Sequence, residues 1–123
     1  MNESRFTGYF PNTSLARIKD ALLGAVSEED IRERVTLSGD EFTVDNNFME
    51  LYVYSSDPGK VSGTNYLASG QYFGSIAELE ALLQKLAALF ADRGLVYEFE
   101  YYEETEGGDQ VGDSKTLRHP DFP

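Results

Sequence analysis

The sequence predicts an α+β domain: a mainly antiparallel sheet with two main helices packed on one face. Three observations point there. Leu15, Ile18, Leu22 and Val26, and later Ile76 through Phe90, recur at helical spacing. Several other stretches alternate apolar and polar residues with strand period, Phe48 to Tyr54 most clearly. Their order is strand, helix, three or four strands, helix, two strands, which is an α+β arrangement. At 123 residues, 41% apolar and 26% charged, the chain is expected to form one domain over residues 1–123 with a single core.

The first strand is expected over Arg5 to Phe10, with Phe6 and Phe10 on one face and Tyr9 on the other. Pro11-Asn12-Thr13-Ser14 breaks it and offers a helix cap. A first helix of about three turns follows, with Gly24 as its C-cap. Ser27-Glu28-Glu29-Asp30 reads as a fresh, brief helical turn. Val35-Thr36-Leu37 and Phe42-Thr43-Val44 form a hairpin around Ser38-Gly39-Asp40. After Asp45-Asn46-Asn47, the strand Phe48 to Tyr54 carries Met49, Leu51 and Val53 on an aliphatic face. Phe48, Glu50, Tyr52 and Tyr54 make its other face.

Ser55 to Asn65 is rich in Gly, Ser, Asp and Pro and reads as a mobile loop. Tyr66 to Phe73 reads as a further strand, weakened by Gly70; as an exposed edge it would pair two copies into a homodimer. Ser75 and Glu78 form a capping box that opens the long second helix. Its stripe is Ile76, Leu79, Leu82, Leu83, Leu86, Leu89 and Phe90, and Gly94 closes it. Val96 to Glu104 and Gln110 to Arg118 make a hairpin about Gly107-Gly108. The proline-flanked tail from His119 then leaves the sheet.

The chemistry these residues exclude is broad. There is no Cys, so neither disulfide nor thiolate chemistry exists. The one His, His119, reads as a strand-end residue, and zinc needs more His or Cys than this. Asp57-Pro58-Gly59-Lys60 fails as a phosphate loop, because Tyr54 and Val61 stand where Gly and Ser or Thr are needed. Glu98 and Glu100 share a strand face about 7 Å apart, within the range for glycosidase work, but no other polar set converges on them by spacing. Glu103, Glu104, Glu106, Asp109 and Asp113 do not follow a calcium-loop pattern. No enzyme, cofactor or metal is therefore expected. No apolar run reaches the roughly 20 residues that cross a bilayer, and no apolar segment follows the basic start of a signal peptide, so a cytoplasmic protein is expected.

Charge narrows the partner. The net charge is −12, and Glu98 to Asp113 holds seven carboxylates with no Lys or Arg. That field repels nucleic acid and anionic membranes and attracts a basic protein. With the helices over Met49, Leu51, Val53, Tyr97, Phe99 and Tyr101, the opposite sheet face carries tyrosines among carboxylates. The expected partner-binding residues are Glu50, Tyr52, Tyr54, Glu98, Glu100, Tyr102 and Glu104, with Glu106 and Asp109 on the adjoining hairpin. Aromatic rings supply area and cation–π contact, and carboxylates supply steering. The competing reading is a wet sheet face whose charge serves solubility alone.

In size, acidity, missing Cys and mixed α/β pattern the chain resembles the small acidic immunity proteins that bacteria pair with antibacterial toxins. The resemblance spans the chain in character and carries over no single residue. It implies a non-catalytic inhibitor of a basic toxin or nuclease domain. An acidic nucleic-acid mimic of phage or anti-defence type fits the same profile, as does a self-associating structural or accessory protein.

Overall fold

The computed structural model describes residues 3–36, 39–56 and 65–122. In chain order the elements are β1 (Glu3–Phe10), α1 (Leu15–Leu22), β2 (Ile31–Thr36), β3 (Gly39–Asp45), β4 (Met49–Ser55), β5 (Tyr66–Tyr72), α2 (Ile76–Asp92), β6 (Glu98–Glu104) and β7 (Gln110–Arg118). A short 3-10 turn, Glu28–Asp30, capped by the Ser27 hydroxyl, leads into β2. The seven strands form one sheet in the order β2-β3-β4-β5-β1-β6-β7, with every neighbouring pair antiparallel. The strand nearest the N-terminus is thus central: β1 joins the meander β2–β5 to the hairpin β6–β7.

One face of this sheet is dry. Phe6 and Phe10 of β1, Phe42 and Val44 of β3, Met49, Leu51 and Val53 of β4, and Phe99 of β6 are all buried, as strand alternation requires. Both helices cover them. Leu15, Ile18 and Leu22 of α1 and Leu79, Leu83, Leu86 and Phe90 of α2 join the same core cluster. Phe10 lies at its centre, with its ring edge-on to Phe90 at 5.1 Å and to Phe99 at 5.9 Å.

Local chemistry sets the helix ends. The Ser75 hydroxyl accepts from Glu78 N–H while the Glu78 carboxylate accepts from Ser75 N–H, completing the capping box. At the other end Gly94 has φ +71°, its N–H donates to Ala91 C=O, and Leu95 N–H donates to Phe90 C=O. That is a Schellman ending, which glycine accommodates without Cβ strain.

Four expectations need correction. The first helix has two turns, not three; Val26 joins the core from the turn beyond it. Gly24 is not a left-handed cap. A Cβ there would lie 2.7 Å from Leu89 of α2, so its smallness lets the two helices approach. Phe48 precedes β4 and escapes its alternation, packing 6.3 Å from the Tyr72 ring at the core margin. The largest revision concerns β5, which lies between β4 and β1 and is no edge. It offers no free backbone to a second copy, so the expected dimerisation route is closed. The turn residues Leu37 and Ser38 and most of the Ser55 to Asn65 loop, including Asp57 to Lys60, lie outside the described residues.

Gly70 has a definite task at the sheet centre. It pairs with Phe6, whose ring covers it so closely that a Cβ would meet ring carbons at 2.3 to 2.8 Å. Gly70→Ala is therefore expected to destabilise the fold by about 1–3 kcal/mol through overpacking, measured as a lower midpoint in urea unfolding. An unchanged midpoint would mean that the Phe6 ring is free to move aside.

Candidate interaction face

The sheet face away from the helices is open, and the strand registers arrange its side chains in rows that cross the strands. One row reads Arg34, Glu41, Tyr54, Leu67, Tyr9, Glu98, Arg118. The next reads Arg32, Thr43, Tyr52, Ser69, Thr7, Glu100, Thr116. A third reads Asp45, Glu50, Gln71, Arg5, Tyr102. Glu3 and Glu104 are paired in register beyond it.

The first row neutralises itself at both ends. Arg34 Nη2 donates to Glu41 Oε2 at 3.4 Å, and Arg118 Nε donates to Glu98 Oε2 at 2.6 Å. Between these pairs lie the Tyr54, Leu67 and Tyr9 side chains. Tyr9 is also covered by Phe122 of the tail, edge-on at 5.8 Å, and the Arg118 guanidinium stands 5.7 Å from that ring. Tyr52 leans toward this row. Its ring stacks on Tyr54 at 4.7 Å and 26°, and its hydroxyl bonds to the Glu41 carboxylate.

That bond is the main reason the Tyr52 hydroxyl has a raised pKa; burial and the Glu41 charge add to it. Burial raises the hydroxyls of Tyr72, Tyr97 and Tyr101 as well. A tyrosine whose folded pKa exceeds its unfolded value of about 10 contributes stability below that value and loses it as pH rises through the folded pKa. The expected outcome is that Tyr52, Tyr72, Tyr97 and Tyr101 ionise late in an absorbance titration. Unfolding free energy should decline above about pH 10. Ionisation of these four hydroxyls at the ordinary value of about 10 would contradict these surroundings.

The acidic segment does not act as one block. Glu104 is only 7% exposed, and Arg5 Nε donates to its Oε2 at 2.6 Å. Glu98 is held by Arg118. The sequence stretch without a base therefore receives two arginines from elsewhere, which spacing could not reveal. Glu106 and Asp109 lie in the turn between β6 and β7, beyond the face, where Asp109 C=O accepts from Thr105 N–H. Glu50, Tyr52 and Tyr54 on β4, and Glu98, Glu100, Tyr102 and Glu104 on β6, do share the open face. The strands β5 and β1 separate these two groups.

Three carboxylates on this face have no compensating partner: Asp45, Glu50 and Glu100 are exposed, with no ion pair or side-chain hydrogen bond among the described residues. Asp45 and Glu50 stand directly opposite each other across β3 and β4, a like-charge pairing that costs stability. Asp45 was the residue the sequence hid, because Asp45-Asn46-Asn47 reads as turn. The hairpin register supplies the missing signal: Asn46 Oδ1 accepts from Phe48 and Met49 N–H, and closing the turn this way pairs Asp45 with Glu50.

Two depressions, of about 390 and 400 Å³, mark the same face. The first lies among Thr43, Asp45, Glu50, Tyr52, Gln71 and Arg5, the second among Thr7, Tyr9, Tyr54, Leu67, Glu98 and Glu100; Ser69 borders both. Both are open troughs rather than enclosed pockets. Among the described residues no three of His, Cys, Asp and Glu are grouped to hold a metal ion, and no helix is long and apolar enough to cross a membrane. Compared with protein families and with curated proteins, the chain matches none.

Proposed function

We propose that this protein is a non-catalytic binding module that docks a basic protein on its open sheet face. In the fuller form of the proposal it is an immunity protein that neutralises a cationic toxin or nuclease domain in the cytoplasm. One observation carries the docking reading: Asp45, Glu50 and Glu100 stand uncompensated around the stacked Tyr52 and Tyr54 rings. Of the bases on this face, Arg5, Arg34 and Arg118 are already engaged by Glu104, Glu41 and Glu98, whereas Arg32, opposite Thr43, has no such pairing among the described residues. A cation arriving from outside therefore meets free carboxylates beside aromatic surface, the setting for charged hydrogen bonds and cation–π contact.

The net charge of −12 extends the attraction beyond contact and hastens encounter. The immunity reading adds the likeness in size, acidity and composition to toxin-paired inhibitors. The absence of Cys suits the reducing cytoplasm. The test is capture of partners from the native host with the full chain as bait, followed by association kinetics over a salt series. A basic captured protein whose association slows with salt, and whose toxicity the chain suppresses, is the expected result. A captured partner that is acidic, or binding that ignores salt, would sink the proposal.

A further inference from the structure

Resting on that reading, we infer that the face recognises an extended basic segment of its partner, laid across the strands, with two cationic side chains four residues apart. The two depressions meet at Ser69 and run from β3 to β6. They carry free carboxylates at opposite ends: Asp45 and Glu50 line the first, and Glu100 lines the second. Glu50 and Glu100 are three strand spacings apart, about 14 Å, and offset by one two-residue step of about 7 Å, hence about 16 Å between backbones. In an extended chain, residues i and i+4 project from the same side about 14 Å apart, within reach of both carboxylates once long side chains splay. Residues i and i+2 span only about 7 Å and serve one end at a time.

The floor between the ends favours an extended chain over a helix. Ser69 and Thr7 present exposed hydroxyls from β5 and β1 between the ends, and Thr43 another from β3 beside Asp45, none with a side-chain partner among the described residues. A hydroxyl can both donate to and accept from a peptide group. An extended segment brings unpaired backbone N–H and C=O groups that these hydroxyls can satisfy, whereas a helix has already paired its own. The stacked Tyr52 and Tyr54 rings border the path and offer a flat surface to a guanidinium.

The test uses the full chain and three nine-residue Gly/Ser peptides of equal charge, with two arginines at i,i+2, at i,i+4 or at i,i+8. Binding is followed by amide chemical-shift titration at low salt. The i,i+4 peptide is expected to bind at least about threefold more tightly than the other two, in line with a second weak ion pair. Amides near Glu50, Ser69 and Glu100 should move together in that titration. In Glu100→Gln, which leaves the fold and the Asp45–Glu50 end untouched, the preference should vanish. Equal affinities at the same amides would overturn the spacing inference while leaving a basic docking face in place. Shifts elsewhere, or none with any peptide, would overturn the inference outright, and the docking reading would then rest on the captured partner alone.

Discussion

Truncation of Phe10 to alanine is expected to cost about 3–5 kcal/mol, among the largest effects of any single substitution in the chain. Phe10 is 2% exposed and central in three respects. It lies on β1, the strand that joins the two parts of the sheet. Its ring meets Phe90 of α2 and Phe99 of β6 edge-on, so its loss removes aromatic contacts as well as buried area. The cavity left behind has rigid walls on the sheet side, because Phe6, Phe99 and Ala68 are each fixed by strand pairing. With total stabilities of roughly 5–15 kcal/mol for such domains, the variant should be partly unfolded at ambient temperature. Urea unfolding measures this directly. A loss below about 1 kcal/mol would mean that α2 collapses onto the sheet to fill the gap.

Neutralising the three free carboxylates is expected to have the largest effect on function. The variant Asp45→Asn, Glu50→Gln, Glu100→Gln should lower the association rate with a basic partner on the order of tenfold at low salt. The difference should shrink as salt rises, because screening acts within about 8 Å at physiological ionic strength. Dissociation should quicken by a smaller factor, about threefold, from the lost ion pairs. Tyr52→Ala should do the reverse, mainly quickening dissociation, since an aromatic anchor holds the complex after encounter. The same triple variant should be slightly more stable than the parent protein, because it relieves the repulsion of Asp45 and Glu50. Weaker binding with unchanged or greater stability is the signature of charge kept for a partner. If binding and stability fall together, the carboxylates serve the fold instead.

Much of the architecture is legible in the sequence. The capping box at Ser75 and Glu78, the apolar stripe of α2, the ending at Gly94 and the aliphatic side of β4 are local patterns, and each stands where spacing predicts. Their cause lies within a few residues, in backbone hydrogen bonding and in periods of 3.6 and 2. Gly24 and Gly70 are legible only as glycines. Their reason is the distant Leu89 and Phe6 side chains that press on them.

The candidate face divides the same way. Alternation alone puts Glu50, Tyr52 and Tyr54 on one side of β4, and Glu98, Glu100, Tyr102 and Glu104 on one side of β6. Strand order is not local: the sequence leaves open whether β5 is an edge, and it is interior because β1, far away in the chain, pairs with it. The same long-range pairing carries Arg5 to Glu104, and the last hairpin carries Arg118 to Glu98. Sequence by itself determined that this protein is acidic, α+β and aromatic on a sheet face. Tertiary structure alone decided which of its carboxylates remain free, because charge is neutralised through space, by groups that only folding brings within hydrogen-bonding distance.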